Sequence, residues 1–218
     1  MQLSYAIVLL VLSLIIIAVA IRSDLLRNTV FNRQTFDALA TTANPKPSFS
    51  LAKTQLAFWT VIVIGSYIYV VFFAAGSLNM AVEISGVNLT LLGIAAGTTV
   101  VGKAIDGSQQ NNTATASTTT AQQNHPAKGF FFLDIISDET GVSIHRLQNV
   151  LWTIVVGGVY IVYVSTKCAL PDEKVITSVL LGLMGVSSAA YLGVKTTENT
   201  APQPQPQPNP DPNPNPNP

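Results

Sequence analysis

Three groups of residues in this chain have types that elsewhere do chemistry. Gly97-Thr-Thr-Val-Val-Gly102-Lys103 follows the phosphate-binding loop pattern up to its lysine, then places Ala104 where Ser or Thr must hold magnesium. Such a loop also needs a strand before it and a helix after it. This stretch instead closes an apolar run, and Lys103 reads as the snorkelling anchor of a membrane helix. Thr98-Thr99-Val100-Val101-Gly102 has the composition of a potassium filter. A filter, however, is an extended loop lined by carbonyls, and these residues fall at the end of a continuous helical pattern. His125, Asp134, Asp138 and His145 carry metal-binding atoms at spacings that match no ligand pattern. No catalytic, cofactor or metal site is expected, and the chain is not read as an enzyme.

A second set of residues is polar and repeated. Lys53, Gln55 and Trp59 recur at the same spacing as Arg146, Gln148 and Trp152. Gln55 and Trp59, like Gln148 and Trp152, stand four apart and share a helix face. They fit an interfacial belt, with tryptophan at headgroup depth and Lys53 or Arg146 below it. They also fit a polar vestibule or a bridge between helices. Ser50 and Ser143 occupy positions where helix N-caps belong. Asn88-Leu-Thr90 is a glycosylation sequon, but one set too close to an apolar run to be used.

The elements that must position these residues follow from composition. The chain has 218 residues, 48% hydrophobic and 10% charged, where a soluble domain would have about 25% charged. The uncharged residues come in blocks at 2–21, 54–82, 84–102, 147–166 and 175–194. Each block is long enough for the roughly 20 residues that cross a hydrocarbon core. An all-α integral membrane protein is expected, with five transmembrane helices near 3–21, 56–75, 87–103, 149–166 and 176–194. Five lone runs cannot close a barrel, and an open sheet would leave backbone groups unsatisfied in lipid. The first run has no basic start and exits into Arg22, so it reads as a retained anchor and not as a cleaved signal.

The last four runs contain one pattern twice. Ser50, Lys53, Gln55, Trp59, Thr60, Gly65 and Tyr67 align with Ser143, Arg146, Gln148, Trp152, Thr153, Gly158 and Tyr160. Each copy continues into a helix opening on Leu-Leu-Gly, at Leu91-Leu92-Gly93 and Leu180-Leu181-Gly182, and closes on Lys103/Asp106 or Lys195/Glu198. This reads as two parallel-repeat helical hairpins behind an N-terminal anchor. The second helix of each hairpin is rich in small residues: Gly93, Gly97, Thr98 and Thr99 in one, Gly182, Gly185, Ser187 and Ser188 in the other. Small residues let backbones approach closely in lipid, so these positions are candidates for helix packing or for a pore wall.

The organisation expected is an anchor at 1–22, a cytoplasmic segment at 23–49, hairpins at 50–106 and 143–198, a low-complexity linker at 107–128, an interfacial element at 129–142 and a proline-rich tail at 199–218. The tail has nine prolines in residues 201–218. As polyproline II it would extend about 55 Å, either as a spacer or as a strand for a partner's aromatic groove. Nine of the eleven basic residues fall in 22–55, 103–146 and 195. That asymmetry sets the N-terminus outside and the long loops and tail in the cytoplasm. The net charge is zero, so no basic field points to nucleic acid. Cys168 is the single cysteine and has no partner for an internal disulfide.

Ser-Leu-x-Lys-x-Gln-x-x-Phe-Trp-Thr at 50–60 and Asp134-Ile-Ile-Ser-Asp-x-x-Gly-Val-Ser-x-His-Arg-x-Gln-x-x-x-Trp-Thr at 134–153 carry a resemblance, together with Leu181-Gly-Leu-Met-Gly-Val-Ser-Ser-x-x-Tyr-Leu-Gly-Val-Lys. The chain resembles a widespread family of uncharacterised bacterial multi-pass inner-membrane proteins over about residues 47–106 and 130–198. The resemblance implies a bacterial inner membrane and this topology, and no activity. Ala189-Ala190 departs from the glycine-containing step expected at that position.

The functional expectation is a membrane scaffold or anchor subunit, homo-oligomeric or part of a larger membrane complex. Its linker, interfacial element and tail would serve as docking parts for a cytoplasmic partner. The alternative is a homo-oligomeric channel with Gly93, Gly97, Thr98, Thr99, Ser187 and Ser188 as its wall and Gln55 and Gln148 as its vestibule. The spans contain no Asp, Glu, Lys, Arg or His, which disfavours ion-coupled transport.

Overall fold

The computed structural model describes residues 2–30, 33–40, 44–74, 82–113, 126–127, 129–138 and 141–196. The proline tail, most of the linker and His125 lie outside them. Five long apolar helices dominate: α1 (Gln2–Arg22), α3 (Leu51–Tyr69), α4 (Gly86–Thr113), α6 (Ile144–Lys167) and α7 (Ser178–Lys195). A π-helical turn, Val70–Ala74, continues α3. Short α2 (Arg33–Leu39) and α5 (Phe131–Ile136) accompany them, with a two-residue antiparallel ribbon of β1 (Ser137–Asp138) and β2 (Gly141–Val142).

Boundaries differ from the sequence expectation at one end of the bundle. The helices α3 and α6 start at Leu51 and Ile144, directly after Ser50 and Ser143, and not near 56 and 149. The first residues of the expected linker, 107–113, are helical and extend α4 to Thr113. The segment expected to be cytoplasmic contains α2, whose Phe36 is fully buried. The cause is common to the first two. An uncharged run measures hydrocarbon thickness, whereas a helix continues while it has neighbours to pack on. Near its end α4 has such a neighbour, since the Gln109 amide donates to the Lys195 and Thr196 carbonyls at 2.9 and 3.2 Å. Charged residues therefore sit inside the long helices, at Lys53, Lys103, Asp106, Arg146 and Lys195, toward the end of the bundle where α3 begins.

Ser50 and Ser143 stand at the N-cap positions of α3 and α6 with extended backbones, and neither hydroxyl makes a capping bond. Thr177 does cap α7, accepting from the Leu180 N–H at 3.4 Å. Cys168 ends α6 in the left-handed region at φ 53°, its N–H bonded to the Val164 carbonyl.

The contacts fix the helix directions. Thr99 bonds the Ala52 carbonyl, so α3 and α4 run antiparallel. Arg146 lies over the Tyr191 ring, so α6 and α7 are antiparallel as well. Gln55 meets Asn149, which makes α3 and α6 parallel, and Asp106 meets Lys195, which does the same for α4 and α7. The helix α1 packs antiparallel on α3 and barely touches α6. The main core joins Trp59, Ile62, Tyr69, Leu91, Val156, Tyr160 and Met184. A second cluster lies at the start of α3, where Leu51, Ala52, Ile135 and Tyr191 meet, with Phe49 edge-on to Phe131 at 4.9 Å.

Candidate functional site

Several polar side chains inside the bundle are bonded to one another. The Gln55 amide donates to Asn149 Oδ1 at 3.0 Å and Thr153 Oγ1 at 2.6 Å, and Asn149 Nδ2 returns a bond to Gln55 Oε1 at 3.3 Å. This closed cluster ties α3 to α6. Tyr160 donates to Asn88 Oδ1 at 2.6 Å, tying α6 to α4. Asn88 is fully buried, so the sequon asparagine is spent on packing. Tyr5 and Ser66 hydroxyls meet at 2.8 Å and tie α1 to α3.

At the end where α3 begins, the interactions are ionic. Lys195 pairs with Asp106, and the Tyr191 ring has Arg146 at 5.2 Å and Lys195 at 6.0 Å. Lys53 Nζ donates to the Arg27 carbonyl. Arg27 in turn bonds the Pro47 carbonyl and stacks over Phe49 at 4.2 Å. The void among Lys53, Thr99, Lys103, Asp106 and Lys195 is about 10 Å³, room for a single water at most. These cations hold elements together and leave no space for an anion between them.

The sequence candidates separate into inward and outward sets. Gln55 and Trp59 are buried, whereas the register-equivalent Gln148 is exposed and Trp152 half-buried. Asn149, one position later, is the residue that meets Gln55. The two copies therefore present faces rotated by about one residue, with α3 packed mainly on α1 and α4 and α6 mainly on α7. Lys53 and Arg146 do sit at the same end of the bundle.

The expected pore wall is not one surface. Gly93, Gly97 and Gly182 are exposed, and no neighbouring atom comes within 4 Å of where a Cβ would stand on them or on Gly185. Thr98, Ser187 and Ser188 face inward. Thr98 and Thr99 hydroxyls bond the Ile94 and Ala95 carbonyls of their own helix. The close helix approaches occur at two other glycines: Gly65 against Leu9 and Gly157 against Phe58. The signal for them was present, since Gly157-Gly158 is a pair and only one could face in.

The nucleotide-loop and filter-like runs both lie within α4, where their backbone groups serve the helix. Asp134 is buried and accepts from the Phe49 N–H at 3.5 Å. Among the described residues, no three His, Cys, Asp or Glu side chains gather as a metal site.

One open space remains. A groove of about 500 Å³ runs between α1 and α6 with α3 as its floor. Its lining is apolar except for a few hydroxyl and amide groups, among them Thr54, whose buried Oγ1 has no hydrogen-bond partner. Phe131, Phe132 and Ile135 of α5 close the end nearest the start of α3.

Comparison with protein-family models, with curated proteins and with solved structures finds no match to this chain.

Proposed function

We propose that the chain is a bilayer-spanning scaffold or anchor subunit of an oligomeric assembly in a bacterial inner membrane. In this reading its N-terminus is outside and its long loops are cytoplasmic. The observation that carries the proposal is the outward glycine face of two adjacent parallel helices. On α4, Leu89, Gly93, Gly97 and Val100 form one exposed stripe at helical spacing. On α7, Val179, Gly182, Val186 and Gly193 form another. The glycines pack against nothing in the monomer, and such residues are where helices associate closely in lipid. The interior supports the same reading, because Gln55, Asn149 and Thr153, and Tyr160 and Asn88, bond one another between helices. The outward apolar surface of all five helices supports insertion, since the polar groups are inside and Leu10, Leu14, Val162 and Val186 are outside. The exposed face of α5, with Phe132 and Leu133, and Phe130 just before it suit the headgroup boundary.

Cysteine crosslinking in native membranes tests the proposal. With Cys168 replaced by Ser, Gly97→Cys should give disulfide-linked dimers and Gly97→Leu should lower the assembly size in mild detergent. A monomer that never crosslinks along either stripe refutes the scaffold reading. A ring with a water-filled axis would replace it with a channel. The orientation is tested separately. Cysteines at Ser117 and Asn209 should resist an impermeant thiol reagent in intact cells, and labelling of both reverses the assignment of sides.

A further inference from the structure

We propose that the α1–α3–α6 groove holds one acyl chain of a bilayer phospholipid, whose ester carbonyl accepts a hydrogen bond from Thr54. The proposal rests on the membrane-spanning reading above. Its first support is length. The groove follows α3 from Leu51 to Ile62 and α6 from Val150 to Ile161, about 17 Å at 1.5 Å per residue. That is close to half of a hydrocarbon core of about 30 Å, so the groove has the depth of one leaflet.

Its second support is polarity. Apart from Gln55 and Thr153, which bond each other, the unpaired polar atom of the lining on α3 is Thr54 Oγ1. Thr54 is in the first turn of α3, at the shallow end where lipid esters lie. A buried hydroxyl without a partner costs about 1–3 kcal/mol, and an ester carbonyl removes that cost. Arg22 ends α1 five residues beyond Ile17, the last groove residue of that helix, and is exposed where a phosphate would sit.

Its third support is size. A helix lying along the same 17 Å would be a cylinder about 10 Å across. A hydrocarbon chain needs much less. The groove exists because α1 packs on α3 and touches α6 only marginally. In lipid such a gap fills with the surrounding chains.

The test uses the whole chain reconstituted in vesicles of phosphatidylethanolamine and phosphatidylglycerol, with a phosphatidylglycerol carrying a diazirine on one acyl chain. Light should place adducts on groove residues such as Ile16, Phe58 and Ile154, and unlabelled phospholipid should compete them away. Ala57→Trp and Ile154→Trp fill the groove from its floor and rim. Each should lower those adducts about tenfold at unchanged helicity, while adducts at outward Val186 persist. Thr54→Val keeps the shape and should lower the phospholipid retained in native mass spectrometry severalfold. Adducts spread evenly over groove and outer surface, or undiminished in both filled variants, overturn the proposal. So does a dimer formed through Ile154→Cys that abolishes labelling. If the protein does not float with the vesicles, the membrane reading itself falls, and this inference falls with it.

Discussion

Lys195 Nζ lies 3.0 Å from both carboxylate oxygens of Asp106, and the two side chains are only 5% and 17% exposed. The pair joins the last residue of α7 to the C-terminal third of α4. Sequence reading sets Lys103 with Asp106 and Lys195 with Glu198, each three apart and so within one helix or its end. The structure pairs Lys195 with Asp106 across the two helices, and Glu198 lies outside the described residues. Removing one member of a buried pair strands the other and costs about 3–5 kcal/mol. Asp106→Asn and Lys195→Met should each destabilise the fold toward the low end of that range, because Asp106 keeps some solvent. The double variant Asp106→Leu/Lys195→Met should recover most of the loss. Unfolding in mixed micelles measures all three, and additive losses would mean that the pair is not coupled.

Gly157 and Gly158 offer a test of which face of α6 is inside. A Cβ on Gly157 would stand 2.5 Å from Phe58 Cζ, and one on Gly158 would meet nothing within 4 Å. The repeat register aligns Gly158 with Gly65. Gly157→Ala should destabilise by about 1–3 kcal/mol through overpacking, and Gly158→Ala should be neutral or slightly stabilising. Equal effects would return the packing face to the repeat register. Gly65→Ala should cost less than Gly157→Ala, because its nearest neighbour is a flexible leucine end and not a ring.

The five long helices were legible because an uncharged run of membrane length permits little else. What stayed hidden was which face of each helix points inward. In an apolar helix both faces look alike, so periodicity carries no signal, and the choice falls to single polar residues. Gln148 and Asn149 are neighbours in sequence, and register favoured the first while packing selected the second. The outward glycines show the same limit: Gly93-x-x-x-Gly97 marks a small-residue face, but not that this face points out of the bundle. The α3-start end was the least legible. Arg27, Phe49, Asp106 and Tyr191 are far apart in the chain, and their partnership depends on a segment with no repeat to flag it.

Gln55 and Asn149 make a reciprocal amide pair with Thr153 attached. Side-chain bonds between membrane helices contribute about 0.6 kcal/mol on average and up to about 1.7. Gln55→Leu should reach the upper end, because it leaves both Asn149 and Thr153 short of a partner. Gln148→Leu, on the exposed face, should change stability by less than about 0.5 kcal/mol. Equal sensitivity at the two glutamines would contradict the rotated faces.

The helix α1 is held by few residues. Most of its side chains point outward, and Tyr5 is the one that enters the main core. There its hydroxyl meets Ser66 at 2.8 Å and its ring lies 4.9 Å from that of Tyr69. One turn on, Leu9 packs into the space left by Gly65. Tyr5→Phe keeps the ring and removes one hydroxyl, which should cost about 1 kcal/mol. Tyr5→Ala also opens a cavity beside Tyr69 and should cost about 3–5 kcal/mol. Because α1 packs almost wholly on α3, that loss should appear as detachment of one helix and not as global unfolding. In a Cys168→Ser background, a Leu9→Cys/Gly65→Cys pair should oxidise readily. Adding Tyr5→Ala should slow that disulfide severalfold, while crosslinks between α4 and α7 form at their original rate. Unchanged oxidation at the α1 pair would show that apolar contact alone fixes this helix.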